Sequence, residues 1–469
     1  MRSGARLLLM ALGMSLLGCG RDAQVRADHV VLVTIDTLRA DHLSAYGYPR
    51  PTSPFLERLR GESVLFMRAF ASMPTTAPSH ASILTALHPI AHRVLKNGQV
   101  LDASFVTLAE MLRGHGFRTA AFASTNMHFK VGGLDQGFDT FDEPAGIGVY
   151  TRPADQTVER AIEWLHGLAS GERAFLWVHV FDPHTPYDPH PEQRERLAFH
   201  ATRDAEGYVR FLREQHHLDV DFLGGADAAV ELLSEYDAEV LFVDDQLRRL
   251  DDALHERGLA DHTLFIVTAD HGEGLGNHRF LGHGKHLYNE HLRVPLLVRL
   301  PGRAPHAQAV GDVVQLVDLL PTVLELAAVP GAMPYPIHGT SLAPLLRPGS
   351  GAWAGAIAFA QRRDFAPENQ PPADVDPAQA NYEEGQAFAL QDGRFKYILR
   401  TAGAHEFYDL AEDPYETHDR IAGGDAAVGA LRGQLVELIA RHGREGANVE
   451  PKSVDAETIE RLKSLGYLQ

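Results

Sequence analysis

A hydroxyl, two carboxylates and an imidazole stand in this chain where apolar runs begin or end. Thr76 opens Thr76-Ala77-Pro78-Ser79-His80-Ala81-Ser82-Ile83-Leu84-Thr85-Ala86-Leu87, a Pro-Ser step leading into an apolar helix. Free backbone N–H groups and the helix dipole at such a start favour an incoming anion. Proline two residues after the hydroxyl suits a first helical turn. Asp36 ends the run Val30-Val31-Leu32-Val33-Thr34-Ile35, and Asp270-His271-Gly272-Glu273-Gly274 follows Val267-Thr268-Ala269. Brought together, Asp36, Asp270, His271 and Thr76 would make a four-ligand site for one divalent metal. Such an ion would hold Thr76 deprotonated as a nucleophile and polarise a scissile ester oxygen.

Each piece also has a commonplace reading. Ser and Thr are ordinary helix caps, and an Asp at a strand end is ordinarily a cap or turn residue. Asp-His-Gly alone is a weak metal signature. With 26 histidines in the chain, most need no role. His184 in Phe181-Asp182-Pro183-His184, and His283, Lys285 and His286 in Gly282-His283-Gly284-Lys285-His286-Leu287-Tyr288, are further candidates that could equally lie on the surface. Tyr288 and Glu290 could be packing and solvated-face residues. What favours chemistry is that the acids end apolar strands that could be neighbours in one sheet.

The elements needed to position these groups are legible as alternating runs. Strands are expected over 28–36, 64–71, 118–124, 174–181, 264–268 and 294–300, and helices over 54–60, 76–87, 108–115, 154–169, 226–257 and 317–327. Short apolar strands alternating with helices predict an α/β fold with a mostly parallel central sheet sandwiched by helices. Ligands bind at the carboxyl ends of strands in such sheets. Residues 345–380 shift to Pro, Gly, Ala and Asp, with 371–374 read as a mobile loop. A hairpin turned at Asp392-Gly393 and a helix over 427–441 predict a small C-terminal antiparallel α+β subdomain. The boundaries expected are 28–347 for the catalytic domain, 355–445 for the subdomain and 446–469 for a tail. Residues 192–213 read as a solvated helical face.

At 469 residues, 45% apolar and 22% charged, the chain is that of a folded globular protein. A formal net charge of −19 argues against a nucleic-acid partner but not against an anionic substrate, because a metal reverses the field locally. At the amino end, Arg2 and Arg6 precede the apolar run Leu7–Leu17, which is too short to span a bilayer. It runs into Leu16-Leu17-Gly18-Cys19, which resembles a bacterial lipobox. Residues 1–18 are then a lipoprotein signal peptide and Cys19 is lipidated, so the membrane is reached through a lipid anchor alone. Without Asp after Cys19, an outer-membrane lipoprotein facing the periplasm, or the cell surface, is favoured. With the one Cys used in this way, no thiol remains for a disulfide or a thiolate metal site. The sequence has no internal repeat or coiled coil and carries no signal for oligomeric state.

Together the segments are similar to motifs of the sulfatase family of the alkaline phosphatase superfamily, in that family's order. They are Ile35-Asp36-Thr37-Leu38-Arg39-Ala40-Asp41, Pro78-Ser79-His80-Ala81-Ser82, Phe181-Asp182-Pro183-His184, Asp270-His271-Gly272-Glu273 and Arg293-Val294-Pro295-Leu296. Tyr408-Asp409-Leu410-Ala411-Glu412-Asp413-Pro414-Tyr415-Glu416 resembles the family's C-terminal subdomain signature. The resemblance implies a metal-dependent ester hydrolase with a covalent intermediate. By position it makes Asp36, Asp270 and His271 metal ligands and Thr76 both ligand and nucleophile. Asn97, in Lys96-Asn97-Gly98, matches a donor to a substrate oxygen in phosphodiesterase-like members, although it also reads as an Asn-Gly turn. His184 matches a substrate-binding histidine, and His283 or Lys285 a second basic contact. Either His184 or His283 could protonate the leaving group.

The departures from the family pattern matter as much. Sulfatases carry Cys or Ser, converted to formylglycine, where Thr76 stands, and Arg where His80 stands. Formylglycine is therefore not expected. A threonine sulfate would have to be released by attack at sulfur, whereas a second displacement at phosphorus is feasible. Thr37 replaces a second Asp and His271 an amide, which moves the expected metal from Ca²⁺ toward Mn²⁺ or Zn²⁺, with Ca²⁺ or Mg²⁺ still possible. A second metal at Asp182 and His184 is conceivable but less favoured, since His184 can simply bind substrate. The reading is hydrolysis of a phosphate mono- or diester. The alternatives are a sulfuric ester hydrolase proper, a periplasmic phospho-head-group transferase and a non-catalytic sulfatase-fold binding protein.

Overall fold

The computed structural model describes residues 26–146, 149–201, 205–302, 307–347, 353, 355, 357–365, 385–456 and 458–460. The signal segment with Cys19 and the stretch 371–374 lie outside these residues. The first half runs β1 (His29–Ile35), α1 (Pro54–Arg60), β2 (Val64–Phe70), α2 (Thr76–Thr85), α3 (Pro89–His92), β3 (Gln99–Val100), α4 (Leu108–Gly114), β4 (Phe117–Ala123), β5 (Thr140–Asp142), α5 (Ala154–His166) and β6 (Arg173–Val180). It continues through α6 (Pro191–Ala201), α7 (Ala205–Glu214), α8 (Ala226–Glu256), β7 (Thr263–Ala269), β8 (Gly274–Leu275), β9 (Leu281–Gly282), α9 (Asn289–Leu292), β10 (Arg293–Val294), β11 (Leu296–Arg299), β12 (Gln308–Gln315), α10 (Leu319–Leu326) and α11 (Ala343–Leu346). A C-terminal part follows as β13 (Ala358–Phe365), β14 (Gly385–Gln391), β15 (Phe395–Arg400), β16 (Glu406–Asp409), α12 (Ala426–Glu445) and β17 (Lys452–Ser453).

Among the described residues, a nine-stranded sheet has the order β10-β2-β11-β7-β1-β6-β4-β5, with β12 pairing on β2. The neighbours β7-β1-β6-β4-β5 are all parallel. β1 and β7 are buried along nearly their whole length, which is why they read as continuous apolar runs rather than alternating ones. Helices cover the sheet through apolar stripes. In α5, Ala154, Thr157, Val158, Ala161, Trp164 and Leu165 are buried at three- and four-residue spacing, and the helix packs on α8. The registers Ile35↔Ala269 and Ile35↔Val180 put the carboxyl ends of β7, β1 and β6 side by side, so Asp36 and Asp270 emerge at one level.

Three arrangements differ from the periodic reading. The segment expected as one strand over 294–300 is two short pieces split at Pro295, and β11 runs antiparallel to β7. Proline has no N–H to give a ladder. β12 was not anticipated, because Gly311-Asp312 interrupts its alternation at a register shift. Within the segment expected as a tail, β17 pairs antiparallel with β3 and Lys452 reaches Asp102 at 2.6 Å.

The C-terminal sheet is antiparallel in the order β13-β14-β15-β16. Its hairpin turns at Asp392, whose Oδ1 accepts N–H bonds from Arg394 and Phe395 at 3.0 and 2.8 Å, with Gly393 at φ 95°. Phe359, Phe388, Leu390, Tyr397 and Phe407 pack there against Leu431, Leu435 and Leu438 of α12. The described residues of 192–213 lie in α6 and α7, with Glu192, Arg194, Glu195, Arg196, Glu206, Arg210 and Arg213 exposed and Gln193, Leu197 and Leu212 turned inward.

Candidate active site

The structure brings Asp36, Asp270 and His271 together. One donor atom from each lies within 4.8 Å of the others, and all three side chains are fully buried. His271 Nε2 is 3.4 Å from Asp270 Oδ2 and 3.8 Å from Asp36 Oδ1. Asp270 is oriented by backbone donors to its other oxygen: Oδ1 accepts from His271 N–H at 2.8 Å and Thr37 N–H at 3.3 Å. His271 gives Nδ1–H to the carbonyl of Gly272 at 2.9 Å, which leaves the Nε2 lone pair facing the carboxylates. Gly272 is required for this turn, because a Cβ there would sit 2.1 Å from the carbonyl oxygen of Glu290.

Thr76 is the first residue of α2, and the N-cap is Thr75, whose side chain makes no capping bond. The simple capping role for Thr76 is therefore not the one it has. Its backbone is tied down by a directional chain. Trp177 Nε1–H donates to Thr34 Oγ1 at 2.9 Å, Thr34 pairs with His80 Nε2 at 3.0 Å, and His80 Nδ1–H donates to the Thr76 carbonyl at 2.8 Å. His80 thus carries its proton on Nδ1 and works as a neutral brace. Ser79 Oγ donates to the Asp270 carbonyl at 2.7 Å, which joins the start of α2 to the end of β7.

Thr37 has φ 53°, an uncommon conformation for a β-branched residue. Tyr236 of α8 holds it there, donating its hydroxyl to Thr37 O at 3.0 Å while accepting from Arg39 N–H at 2.9 Å. Arg39 pairs with Asp41 and also binds the carbonyl of Glu273 and the amide of Asn277, fixing the loop after His271.

Four donor atoms in this cluster are buried without a hydrogen-bond partner: both Asp36 oxygens, Asp270 Oδ2 and His271 Nε2; Thr76 Oγ1, at the helix start that Ser79 joins to Asp270, is another such atom. Buried polar atoms left this way are costly unless something else binds them. Burial lifts the Asp36 carboxyl to about 7, with Glu273 adding to it. Burial and the Asp36 charge push Asp270 well above the usual carboxylate range. Burial and the neighbouring His283 keep His271 neutral, well below its ordinary value. Two carboxylates that resist joint ionisation beside a neutral imidazole are what a divalent cation reconciles. The residues present therefore fit a metal. Two oxyanions, one nitrogen and a hydroxyl form a mixed donor set.

A cavity of ≈ 300 Å³ opens beside this cluster, and Asn97, His184, His283 and Lys285 all line it. Asn97 Oδ1 accepts from Ala77 N–H at 3.0 Å, so its amide NH₂ is the end left for the cavity. His184 donates Nδ1–H to the Thr185 carbonyl at 2.5 Å and stacks on Phe181 at 4.3 Å between centroids. His283 sits 4.6 Å from the His271 ring and 5.1 Å from that of His184. Its Nδ1 faces both oxygens of the buried Glu273, at 3.3 and 3.4 Å. Burial opposes charge on His283, but Glu273, with Asp36 and Asp270, raises its pKa to about 9. Lys285 Nζ lies 5.8 Å from the Phe280 ring. Asp182, by contrast, is taken up by structure: its Oδ2 accepts from Ala154 N–H at the start of α5, at 2.9 Å.

Sequence reasoning assigned no role to four residues that shape the site. His179 is the next-to-last residue of β6, with Nε2 3.6 Å from Asp36 Oδ2, and burial lowers its pKa to about 3. A histidine inside Trp177-Val178-His179-Val180 was the available signal, since nothing in an apolar strand end calls for one. Glu273 was visible only as part of a Gly-rich turn. Arg363 and Phe365, which line the far wall of the cavity, come from β13, a strand the periodicity did not reveal.

The model of the family described as Sulfatase matches residues 28–329. The chain belongs to the sulfatase family. This is a family of hydrolases acting on ester bonds, within the alkaline phosphatase superfamily. The chain is 26% identical over 493 residues to the multifunctional alkaline phosphatase superfamily protein PehA of Trinickia caryophylli, covering 86% of this chain and 92% of that one. It is 26% identical over 434 residues to arylsulfatase K of Mus musculus, covering 83% and 75%. Among solved structures, the phosphonate monoester hydrolase of Agrobacterium radiobacter superposes with a TM-score of 0.69 at 24% identity, over 89% of this chain and 96% of that one. That likeness establishes the sulfatase fold for this sheet and its small antiparallel partner.

Proposed function

We propose that this sulfatase-family hydrolase cleaves phosphate mono- or diesters through a covalent intermediate on Thr76. One observation carries the reading: the side chain at the start of α2 is a threonine hydroxyl, buried without a hydrogen-bond partner, at a helix start that Ser79 and His80 hold against Asp270. Threonine is not a precursor of formylglycine, and a plain alkoxide suits displacement at phosphorus. A divalent cation held by Asp36, Asp270, His271 and Thr76, with Mn²⁺ or Zn²⁺ favoured, would supply positive charge at the nucleophile and at the substrate's oxygens.

Thr76 Oγ1 forms the bond to phosphorus as the ester P–O bond breaks. Asn97 and Lys285 offer donors and charge to the non-bridging oxygens from the cavity wall. His283 is better suited than His184 to protonate the departing oxygen, since Glu273 keeps it cationic and occupies Nδ1, leaving Nε2–H to donate. His184 has its one proton committed to Thr185, so Nε2 accepts, from a substrate hydroxyl or from the water that later attacks. That water displaces Thr76 and returns a proton to His283. Acid quench during turnover of bis-p-nitrophenyl phosphate, followed by peptide mass spectrometry, should find a nitrophenyl phosphate ester on Thr76. An adduct elsewhere, or none during burst kinetics, would reject the nucleophile. Sulfate ester hydrolysis is the second reading, supported by the likeness to an arylsulfatase.

Anchoring through Cys19 at the periplasmic face of the outer membrane belongs to the same proposal. No helix among the described residues is long and apolar enough to cross a membrane. Cys19→Ser should move the protein from the detergent phase to the aqueous phase on Triton X-114 partition. Unchanged partition would exclude the anchor.

A further inference from the structure

Away from this cavity, three histidines from distant parts of the chain meet where the C-terminal helix docks. His88 is the N-cap of α3, His338 lies after α10, and His442 is near the end of α12. A ring nitrogen from each lies within 4.8 Å of the others, the same proximity that marks the Asp36 cluster. Glu445, one turn beyond His442, reaches two of them, with Oε2 2.7 Å from His338 Nε2 and 3.0 Å from His442 Nδ1. All three histidine side chains are nearly buried, and they border a cavity of ≈ 420 Å³ that also meets Asp318 and Arg441.

Hydrogen-bond directions show which lone pairs are available. His338 Nδ1 accepts the His88 backbone N–H at 2.9 Å, so that ring carries its proton, or a metal, on Nε2. His442 donates Nδ1–H to Glu445, which leaves its Nε2 lone pair open. This is the carboxylate–imidazole pairing that orients metal-binding histidines. His88 Nδ1 pairs with the Ser72 hydroxyl at 3.0 Å, which leaves its Nε2 as the remaining donor. Neither His88 Nε2 nor His442 Nε2 is hydrogen-bonded among the described residues. Burial lowers the pKa of all three rings, helped by the neighbouring imidazoles at His88 and His338 and by Arg441 at His442, which favours the neutral state in which histidine binds a metal.

We propose that His88, His338 and His442, with Glu445 bonded to His442 Nδ1–H, form a second, structural metal site of the zinc type, which clips α12 to the catalytic domain. The Nε2 atoms of the three imidazoles would hold the ion, and Glu445 would orient His442 from its Nδ1–H. The His338 and His442 rings stand 3.7 Å apart between centroids, closer than two imidazoles on one tetrahedral ion. Binding therefore spreads these two rings, and His338 Nε2 exchanges its contact with Glu445 for the ion. The site joins segments separated by most of the chain, where a cross-link removes the most freedom from the unfolded state.

The test separates this site from the catalytic one. Asp36→Asn with Asp270→Asn removes the carboxylates of the catalytic cluster and leaves the histidines intact. After equilibration with Zn²⁺ and dialysis, this double variant should retain about one equivalent by mass spectrometry, and its melting temperature should fall on adding EDTA. Adding Glu445→Gln should weaken zinc affinity about 10–100-fold, and adding His338→Asn should abolish it. A double variant that holds no zinc, or whose melting temperature ignores both Zn²⁺ and EDTA, overturns the proposal without any histidine substitution being needed. Zinc that survives His338→Asn also overturns it.

Discussion

At the residue scale, chemistry rests on which polar atoms are left facing one another after the backbone has satisfied the rest. Asp270 shows the division: Oδ1 takes two backbone N–H bonds while Oδ2 points into the cluster. His283 shows it again, with Nδ1 turned to Glu273. If His283 is the acid, His283→Gln should cost about 10²-fold or more in kcat for an alkyl or phenyl ester. For a p-nitrophenyl ester, whose leaving group needs no proton, the loss should be under about tenfold. Equal losses on both would assign His283 to substrate binding alone. Tyr236 is a positioning residue, since its hydroxyl spans Thr37 and Arg39 and touches no substrate. Tyr236→Phe should lower unfolding free energy by about 1–3 kcal/mol in urea titration and weaken metal affinity, because Thr37 would then be free to leave its left-handed conformation.

At the element scale, the site is the junction of β1, β7 and β6 with the start of α2. The sheet core was legible because its strands are continuous apolar runs, and the acids Asp36 and Asp270 stand out as the first polar residues after them. The meeting of Asp36, Asp270 and His271 followed from that placement and from motif order. His80, His179 and Arg363 were not legible for a different reason. The groups they meet, Thr34, Asp36 and the cavity wall, are near only in space, and β12 and β13 lack clean alternation. The metal-type histidine cluster where α12 docks is the extreme case, with His88, His338 and His442 carrying no shared motif at all. The turn after β7 offers a sharp check. Gly272→Ala places a Cβ 2.1 Å from Glu290 O, so it should displace His271. It should cost about 1–3 kcal/mol of stability and sharply weaken metal binding in equilibrium dialysis. Unchanged metal affinity would show that His271 is not a ligand.

At the scale of the whole molecule, buried charges tie the C-terminal part to the catalytic domain. His278 pairs with Glu290 at 2.7 Å and with the Glu416 carbonyl at 3.0 Å, while Glu416 meets the buried Lys396 at 2.5 Å. Burial works against charge on His278, but Glu290 and Glu416 outweigh it and raise the pKa to about 9, from 6.5. Because the folded value is the higher one, this stabilisation is fully present below pH 6.5 and is lost as pH rises through 9. The loss should be about 3 kcal/mol in urea unfolding between those limits. His278→Gln should flatten that decline, and an unchanged slope would place the alkaline sensitivity elsewhere, Lys396 and Arg39 being the other cations near Glu290 and Glu416.

The central claim is that a threonine has turned a sulfatase framework toward phosphorus. Its most direct test is kcat/KM for p-nitrophenyl phosphate, bis-p-nitrophenyl phosphate and p-nitrophenyl sulfate, measured on the metal-loaded protein and on Thr76→Ala. The account predicts that a phosphate ester is turned over fastest and that Thr76→Ala lowers that rate by about 10³-fold or more. Sulfate turned over fastest, at a rate that survives Thr76→Ala, would contradict it.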